Sequence, residues 1–437
     1  MTECYQSSLE FPRVKRRKIE VNFEGGEVTS DGGMLLLRSV DRQIGLTKAL
    51  DRAIEDPRVQ GRCEHSQLSL LRQRIYAMAA GYEDLNDHGA LSGDTVFQTA
   101  TENDQPLSSA PTLCRLEQRA DRATAVAMHE ILVDQFINSF EESPKQLILD
   151  FDATDNPVHG DQVGKYFNGF YDGYCFLPLY VFCDHQLLVS YLRPASCGAA
   201  HHAGAILALL VKRLRQAWPK IRIIFRGDSG FCKPMILAWC DRNNVDYVVG
   251  IAKNSRLLSL SESTRSAAET FFELTGEKQR LFNEFHYSAR SWKRRKRRIV
   301  IKAEHGVQGA NPRFVVTSLQ QSARHIYTKM YCARGDMENR IKEQQLLFSG
   351  RTSCHEWWPN QFRLLLSGYA YTLVERLRSL ALRDTSLAKA QVNTIRLKLF
   401  KIGGVVLRNT RRVKIMLSSA YPHQSLFVHA ATILDSS

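Results

Sequence analysis

The 437-residue sequence predicts an α/β protein: a mixed five-stranded sheet, preceded by a helical N-terminal domain and interrupted by an inserted, mostly-β subdomain. Three observations predict it. From Gly33 to about Phe140, apolar residues recur three and four apart, which is the helical period. From Gln146 onward, short apolar runs bounded by turn residues alternate with amphipathic stretches, the texture of strands and helices in one sheet. Between 252 and 320 that alternation gives way to polar stretches holding two β-like segments. A chain this long also exceeds what one hydrophobic core usually supports, so more than one domain is expected.

Residues 1–143 read as a mainly helical N-terminal domain, whose size and partly basic character are compatible with DNA binding and also with helical packing for its own sake. Its first segment ends in Arg13-Val14-Lys15-Arg16-Arg17-Lys18, which suits contact with phosphates and suits a solvated arm equally. A hairpin is expected from Val21 to Val28, turning at Gly25-Gly26, and Thr29-Ser30-Asp31-Gly32-Gly33 reads as a turn opening a helix. Leu68, Leu71, Ile75 and Met78 form one helical stripe; Ala125, Met128, Ile131, Leu132 and Phe136 form another. Pro111 marks the start of a helix between them.

Glu141-Glu142-Ser143-Pro144-Lys145 closes this region, and strands begin. They are expected at Gln146–Thr154, Cys175–Cys183 and Gln186–Leu192, the last two joined by the tight turn Asp184-His185. A helix over 202–217, a strand Ile221–Phe225, a helix Phe231–Asn243 and a strand Tyr247–Ile251 follow. The order β-β-β-α-β-α-β is that of an RNase H-like mixed sheet. The core thus spans 144–251, is interrupted by the insertion over 252–320, and resumes over 321–385 with a long helix, Gln361–Arg383. A basic C-terminal region, 386–437, carries the strand-like Val405-Val406-Leu407 beside Arg408, Arg411, Arg412 and Lys414.

Fifty-nine Lys and Arg against 45 Asp and Glu leave a net charge of +14, which points to a polyanionic partner. None of the ten cysteines forms a Cys-x-x-Cys pair, so neither a zinc ribbon nor a dithiol motif is indicated. No run nears the roughly 18 to 20 apolar residues that span a bilayer. The opening Met1-Thr2-Glu3-Cys4-Tyr5-Gln6 lacks the layout of a signal peptide, so a cytoplasmic protein with no membrane association is expected.

The chemistry rests on three acids. Asp152 closes the first strand, Asp228 follows the fourth between Gly227 and Ser229-Gly230, and Glu338 lies where a helix opens after the insertion. Two carboxylates at strand ends and a third on a helix can converge into a hard-oxygen cage for Mg²⁺, and a pair of such ions activates a nucleophile and stabilises a leaving oxygen. Asp150 is two residues from Asp152 on the same strand face and stands as the substitute ligand. Tyr331, Arg334, Glu338 and Lys342 follow at helical steps, as expected for a carboxylate flanked by phosphate-binding cations on one helix face. Trp292-Lys293-Arg294-Arg295-Lys296-Arg297-Arg298 sets six cations beside an indole, suiting backbone phosphates plus a stacked base.

Tyr331-x2-Arg334-x3-Glu338 resembles the Tyr-Arg-Glu-Lys signature of DDE transposases from bacterial insertion sequences. Asp152-Ala153-Thr154 looks like their first Asp-x-Thr motif and Asp228 like their second acid; the stretches 149–160 and 168–178 resemble one insertion-sequence subgroup. The signature's lysine is expected seven residues after the glutamate, where this chain has Gln345; Lys342, one turn earlier, is the candidate for that charge. The resemblance implies a DNA transposase that binds terminal inverted repeats, cleaves the ends and joins the 3′-hydroxyl to target DNA. It implies two Mg²⁺ ions (Mn²⁺ as substitute) on Asp152, Asp228 and Glu338, and phosphate contacts from Tyr331, Arg334 and Lys342. An aromatic residue in the insertion would hold a flipped base, with Trp292, Lys293, Arg294 and Arg295 as the DNA-binding candidates. A homodimer on double-stranded DNA, associated with the bacterial nucleoid, is the implied assembly. Two other classes remain: a nuclease on the same core that cuts without joining, and a non-catalytic, domesticated DNA-binding protein.

Overall fold

The computed structural model of the protein describes residues 8–293 and 295–436. It divides into two units. The first comprises Met1–Asp51, Asp56–Leu116 and Leu373–Ser437, the second Arg52–Glu55 and Glu117–Thr372.

In the first unit, helices Met34–Ile44 and Gln67–Ala80 are among those expected from the apolar stripes. The turn before Met34 depends on closeness rather than flexibility: a Cβ at Gly33 would lie 1.6 Å from the Leu399 carbonyl oxygen. Helix Gln67–Ala80 is buried nearly all round, so its polar residues need partners. Gln73 donates to the Ser108 carbonyl at 2.8 Å and accepts the Ser108 amide at 3.1 Å. The hairpin expected at Val21–Val28 lies earlier in the chain, pairing Leu9–Val14 with Arg17–Val21. Lys15, with a φ of 56°, takes the left-handed turn position, so Gly25-Gly26 is not the turn. A three-stranded sheet joins Arg412–Leu417, Gly404–Asn409 and Val28–Thr29.

The second unit is built on one mixed sheet. Its strands are β1 (Gln146–Ala153), β2 (Leu179–Cys183), β3 (Gln186–Tyr191), β4 (Arg222–Gly227), β5 (Asp246–Ile251), β6 (Gln279–Tyr287), β7 (Arg297–Gly306), β8 (Gly309–Ala310) and β9 (Arg313–Thr317). They run in the order β6-β7-β9-β5-β4-β1-β2-β3, with β8 paired to β7. β1, β4 and β5 are parallel and the remaining pairs antiparallel. The sheet has nine strands, not five, because β9 pairs with β5 and carries the inserted strands into the same ladder. An uncovered β5 edge would leave a row of backbone donors and acceptors without partners, and the insertion supplies them. The insertion also holds two helices, Ser255–Leu260 and Glu262–Thr275, where only polar sequence and strands were expected.

Alternation along each strand divides the apolar residues between the two faces. Leu147, Leu149, Phe151, Ile223, Phe225, Tyr247 and Val249 pack on one face in the large apolar cluster. Helices α1 (Arg122–Asn138), α2 (Ala203–Ala217) and α3 (Pro234–Arg242) contribute to it through Phe136, Leu207, Leu210 and Leu237. α1, read from sequence with the N-terminal helices, therefore packs on this sheet. Ile224, Val248, Val300 and Val315 point to the opposite face, with Ile326 and Tyr327 against them. Ile148 packs on that face too, so the alternation puts Asp150 and Asp152 there. The expected strand Cys175–Cys183 is broken at Pro178, which cannot donate to a ladder. Its first half, Gly173–Phe176, forms a separate small sheet with Asn156–Pro157 and Tyr166–Asn168. Among the described residues, no helix is long and apolar enough to cross a membrane.

Candidate functional site

The site begins at the carboxyl ends of β1 and β4. Phe151 lies opposite Gly227 in parallel register, so Asp152 and Asp228 follow side by side at one sheet edge. Asp150 is the register partner of Arg226, and the pair is joined through both carboxylate oxygens, Arg226 Nη2 reaching Asp150 Oδ2 at 2.6 Å. Asp150, the substitute ligand in the sequence reading, is thus engaged by a guanidinium. Arg226 also donates from Nη1 to the Met330 carbonyl at 2.7 Å, tying the chain entering the Tyr331 segment to β4.

That segment is not one α-helix, as the spacing predicted. It runs as a π-helix (Ile326–Tyr331), a 3₁₀ turn (Cys332–Arg334) and then helix α4 (Gly335–Leu346). Helical windings of unequal pitch replace a single face, and π turns are frequent at functional sites. Tyr331 reaches β5: a Cβ placed on Gly250 would lie 2.6 Å from the Tyr331 hydroxyl and 3.0 Å from the Ser229 amide nitrogen. Only a residue without a side chain leaves room there for the phenol beside the Asp228 backbone. Glu338 lies in the first turn of α4 and is exposed; Lys342 and Gln345 lie further along the same helix, both exposed.

Arg334 sits among the acids. Its Nη1 donates to Asp152 Oδ2 at 2.8 Å, while Asp152 Oδ1 accepts the Ala153 amide at 2.9 Å. Burial works against the arginine's charge, but Asp152, the Tyr331 hydroxyl, Asp228 and Glu338 outweigh it and hold the guanidinium above its ordinary range. Asp152 is raised to about 6, chiefly by burial; Asp228 and Glu338 push in the same direction, and Arg334 and the Ala153 amide oppose them. Asp228 also caps the 3₁₀ turn Ser229–Phe231, its Oδ1 accepting the Gly230 amide at 2.8 Å. Five of the sequence-predicted residues therefore share one neighbourhood: Asp152, Asp228, Tyr331, Arg334 and Glu338.

The donors suit a hard cation. All three acids offer carboxylate oxygens, the chemistry of Mg²⁺ and Mn²⁺ sites. Burial makes the charged form of Asp152 costly, and a cation beside it would offset that cost. Among the described residues, no three His, Cys, Asp or Glu side chains are close enough to hold an ion together. Arg334 is the cation on Asp152 in this arrangement.

The basic run is arranged differently from its expected role. Trp292 is only 7% exposed, edge-on to Tyr287 at 5.4 Å and covered by the Arg297 guanidinium at 5.5 Å, within the apolar cluster on the other sheet face. Its ring is not presented for stacking. Arg297 pairs with Asp241 and the Tyr247 hydroxyl, and Arg298 with Glu284. Arg295 lies 3.2 Å from Asp241 but remains half exposed, and Lys293 is exposed in a left-handed turn. Arg294 lies outside the described residues.

One feature beside the acids escaped the sequence reading. The hairpin Tyr166–Asn168 with Gly173–Phe176 grows from the chain leaving β1 and exposes Tyr166, Phe167, Tyr174 and, at its tip, Phe170, which is 87% exposed. Asn168 shapes that tip, accepting the Phe170 amide at 3.0 Å and donating to the Ala195 carbonyl. Tyr171 beside it packs against Cys175, Leu177 and Ala195, as Ala153 does, and burial, with Asp155, Asp152 and Asp228 adding to it, raises it to about 12. The signal available in the sequence was the density of aromatics from Tyr166 to Tyr174.

The sequence model of the family described as "Transposase DDE domain group 1" matches residues 11–437. No curated protein matches this chain. Among solved structures, the chain is similar to the piggyBac transposase in a cryo-EM synaptic complex with hairpin DNA. The identity is 11% and the TM-score 0.44, over 85% of this chain and 79% of that one.

Proposed function

We propose that this chain, which belongs to the DDE transposase family, cleaves DNA at the ends of a mobile element and joins the freed 3′-hydroxyls to target DNA in a metal-dependent reaction. The observation that supports the reading is that Asp152 and Asp228 leave adjacent parallel strand ends in register, with Arg334 bonded to Asp152 and Glu338 on the helix that follows. The core is read as RNase H-like, and the element as a bacterial insertion sequence of the Tyr-Arg-Glu-Lys type. The working location is then the cytoplasm, at the nucleoid.

Asp152, Asp228 and Glu338 would hold Mg²⁺ or Mn²⁺. Such ions, when bound, acidify a water or 3′-hydroxyl and neutralise charge developing on the phosphodiester. The chain's own residues do the rest. Tyr331 and Arg334 bind and orient the phosphate, the guanidinium through a fork that suits phosphate oxygens. Asp150 and Arg226 fix the strand ends that present Asp152 and Asp228. Phe170, Phe167 and Tyr174 offer ring faces to bases beside the cut. Lys342, Lys293 and Arg295 would contact backbone phosphate further along double-stranded DNA. Two ends cut in concert call for a homodimer assembled on the terminal inverted repeats.

The test is an assay of labelled element ends with Mg²⁺. Cleaved and strand-transfer products are expected from the native chain, and neither from Asp228→Ala or Glu338→Ala, with binding to the ends retained. Cleavage without joined product would reduce the reading to a nuclease. Unchanged activity of both variants would remove it.

A further inference from the structure

Arg334 occupies an acid that the proposed function assigns to metal. Both oxygens of Asp152 are engaged, Oδ2 by Arg334 Nη1 at 2.8 Å and Oδ1 by the Ala153 amide at 2.9 Å. No three acids among the described residues are close enough to share an ion. Resting on the proposed function, we infer that Arg334 is an exchangeable counter-ion: it leaves Asp152 as metal loads and moves to a DNA phosphate, so that metal and DNA bind cooperatively through this one side chain.

The physical basis is charge compensation in a largely buried place. Asp152 is 9% exposed, and a carboxylate there is costly without a cation beside it. Metal taking Asp152 leaves Arg334 with its charge uncompensated by that partner. DNA phosphate taking Arg334 leaves Asp152 in the same condition. Each ligand thus relieves the cost created by the other, and such coupling is reciprocal. A guanidinium bonds carboxylate and phosphate with the same nitrogens, which makes the exchange chemically even.

The neighbouring Asp150–Arg226 pair shows what a fixed bridge looks like here. Arg226 uses Nε and Nη2 on the carboxylate and Nη1 on the Met330 carbonyl. Arg334 meets Asp152 through one nitrogen and stands on the short 3₁₀ turn between the π-helix and α4. Its side chain can swing away without unpairing a sheet strand.

The experiment measures Mn²⁺ binding to the full chain by electron paramagnetic resonance, with and without a saturating 30-base-pair duplex (a length set by roughly three helical turns). For the native chain, the duplex is expected to tighten Mn²⁺ binding about tenfold, and Mn²⁺ to tighten duplex binding by the same factor. Arg334→Ala is expected to bind Mn²⁺ about tenfold more tightly without DNA, and to lose the coupling. Arg334→Lys, which retains a cation for Asp152, should lie near the native value and guards against a misfolded alanine variant. Equal or weaker Mn²⁺ binding by Arg334→Ala, or coupling that survives it, overturns the exchange while leaving the proposed function intact. Native-like Mn²⁺ binding by Asp152→Asn and Asp228→Asn overturns both.

Discussion

Asp150 and Arg226 are register partners on adjacent parallel strands, joined through both oxygens of the carboxylate. The pair is buried and Arg226 also holds the Met330 carbonyl, so one guanidinium links β1, β4 and the π-helix that ends at Tyr331. Removing one partner strands a charge. Arg226→Met is expected to cost roughly 3 to 5 kcal/mol in urea unfolding. Asp150→Asn combined with Arg226→Met should cost clearly less than the sum of the single changes, because the stranded carboxylate is gone.

The carboxyl of Asp152 carries a pH signature. It rises from an ordinary 3.8 to about 6, so the folded chain binds a proton there that the unfolded chain has lost. The associated stabilisation is complete below about pH 4 and disappears as pH rises through about 6. Asp152→Asn should therefore gain up to about 3 kcal/mol over the native chain at pH 8 and little at pH 4. Asp228→Asn removes one repelling charge and should lower the Asp152 midpoint, read by carboxyl ¹³C NMR. An upward or unchanged midpoint would contradict the shared neighbourhood of the two acids.

Gly250 and Tyr331 test the fit at β5. A methyl group on Gly250 would meet the Tyr331 hydroxyl at 2.6 Å and the Ser229 amide nitrogen at 3.0 Å. Gly250→Ala is expected to destabilise by about 1 to 3 kcal/mol. Tyr331→Phe in the same chain should recover part of that loss, leaving the contact with the Ser229 backbone. A strictly additive double-mutant cycle in thermal unfolding would show that the hydroxyl does not crowd this glycine.

Phe170 and Trp292 are both aromatic candidates for contact with bases, and their burial separates them. Trp292→Ala should cost roughly 3 to 5 kcal/mol of stability while leaving DNA affinity per folded molecule unchanged. Phe170→Ala should leave the melting temperature unchanged and weaken binding of DNA with an unpaired segment by about 1 to 3 kcal/mol. Fluorescence anisotropy paired with calorimetry distinguishes the two, and the reverse pattern would put the stacking surface back in the insertion.

Local pattern determined a large part of this protein. The strand runs ending at Asp152 and Asp228, the helices between them and the acid on a later helix are all legible, because period and punctuation are properties of neighbours in sequence. The long insertion was legible as a mostly-β interruption with two strand-like segments, though not as part of the core sheet. That its strands extend the core sheet depends on β9 meeting the free edge of β5, a contact between residues 63 to 69 apart in sequence. Partnership of charges was likewise hidden. Asp150 and Asp152 share one strand face along the chain, Asp152 being the ligand read from sequence and Asp150 its substitute, yet one is bound by Arg226 and the other by Arg334, from opposite sides of the insertion. Trp292 beside a basic run read as a ring for stacking while Phe170 in an aromatic stretch drew no such reading; packing buried the first and exposed the second. Sequence fixes which groups exist and which face of an element they take, while burial and pairing depend on what the rest of the chain brings to that face.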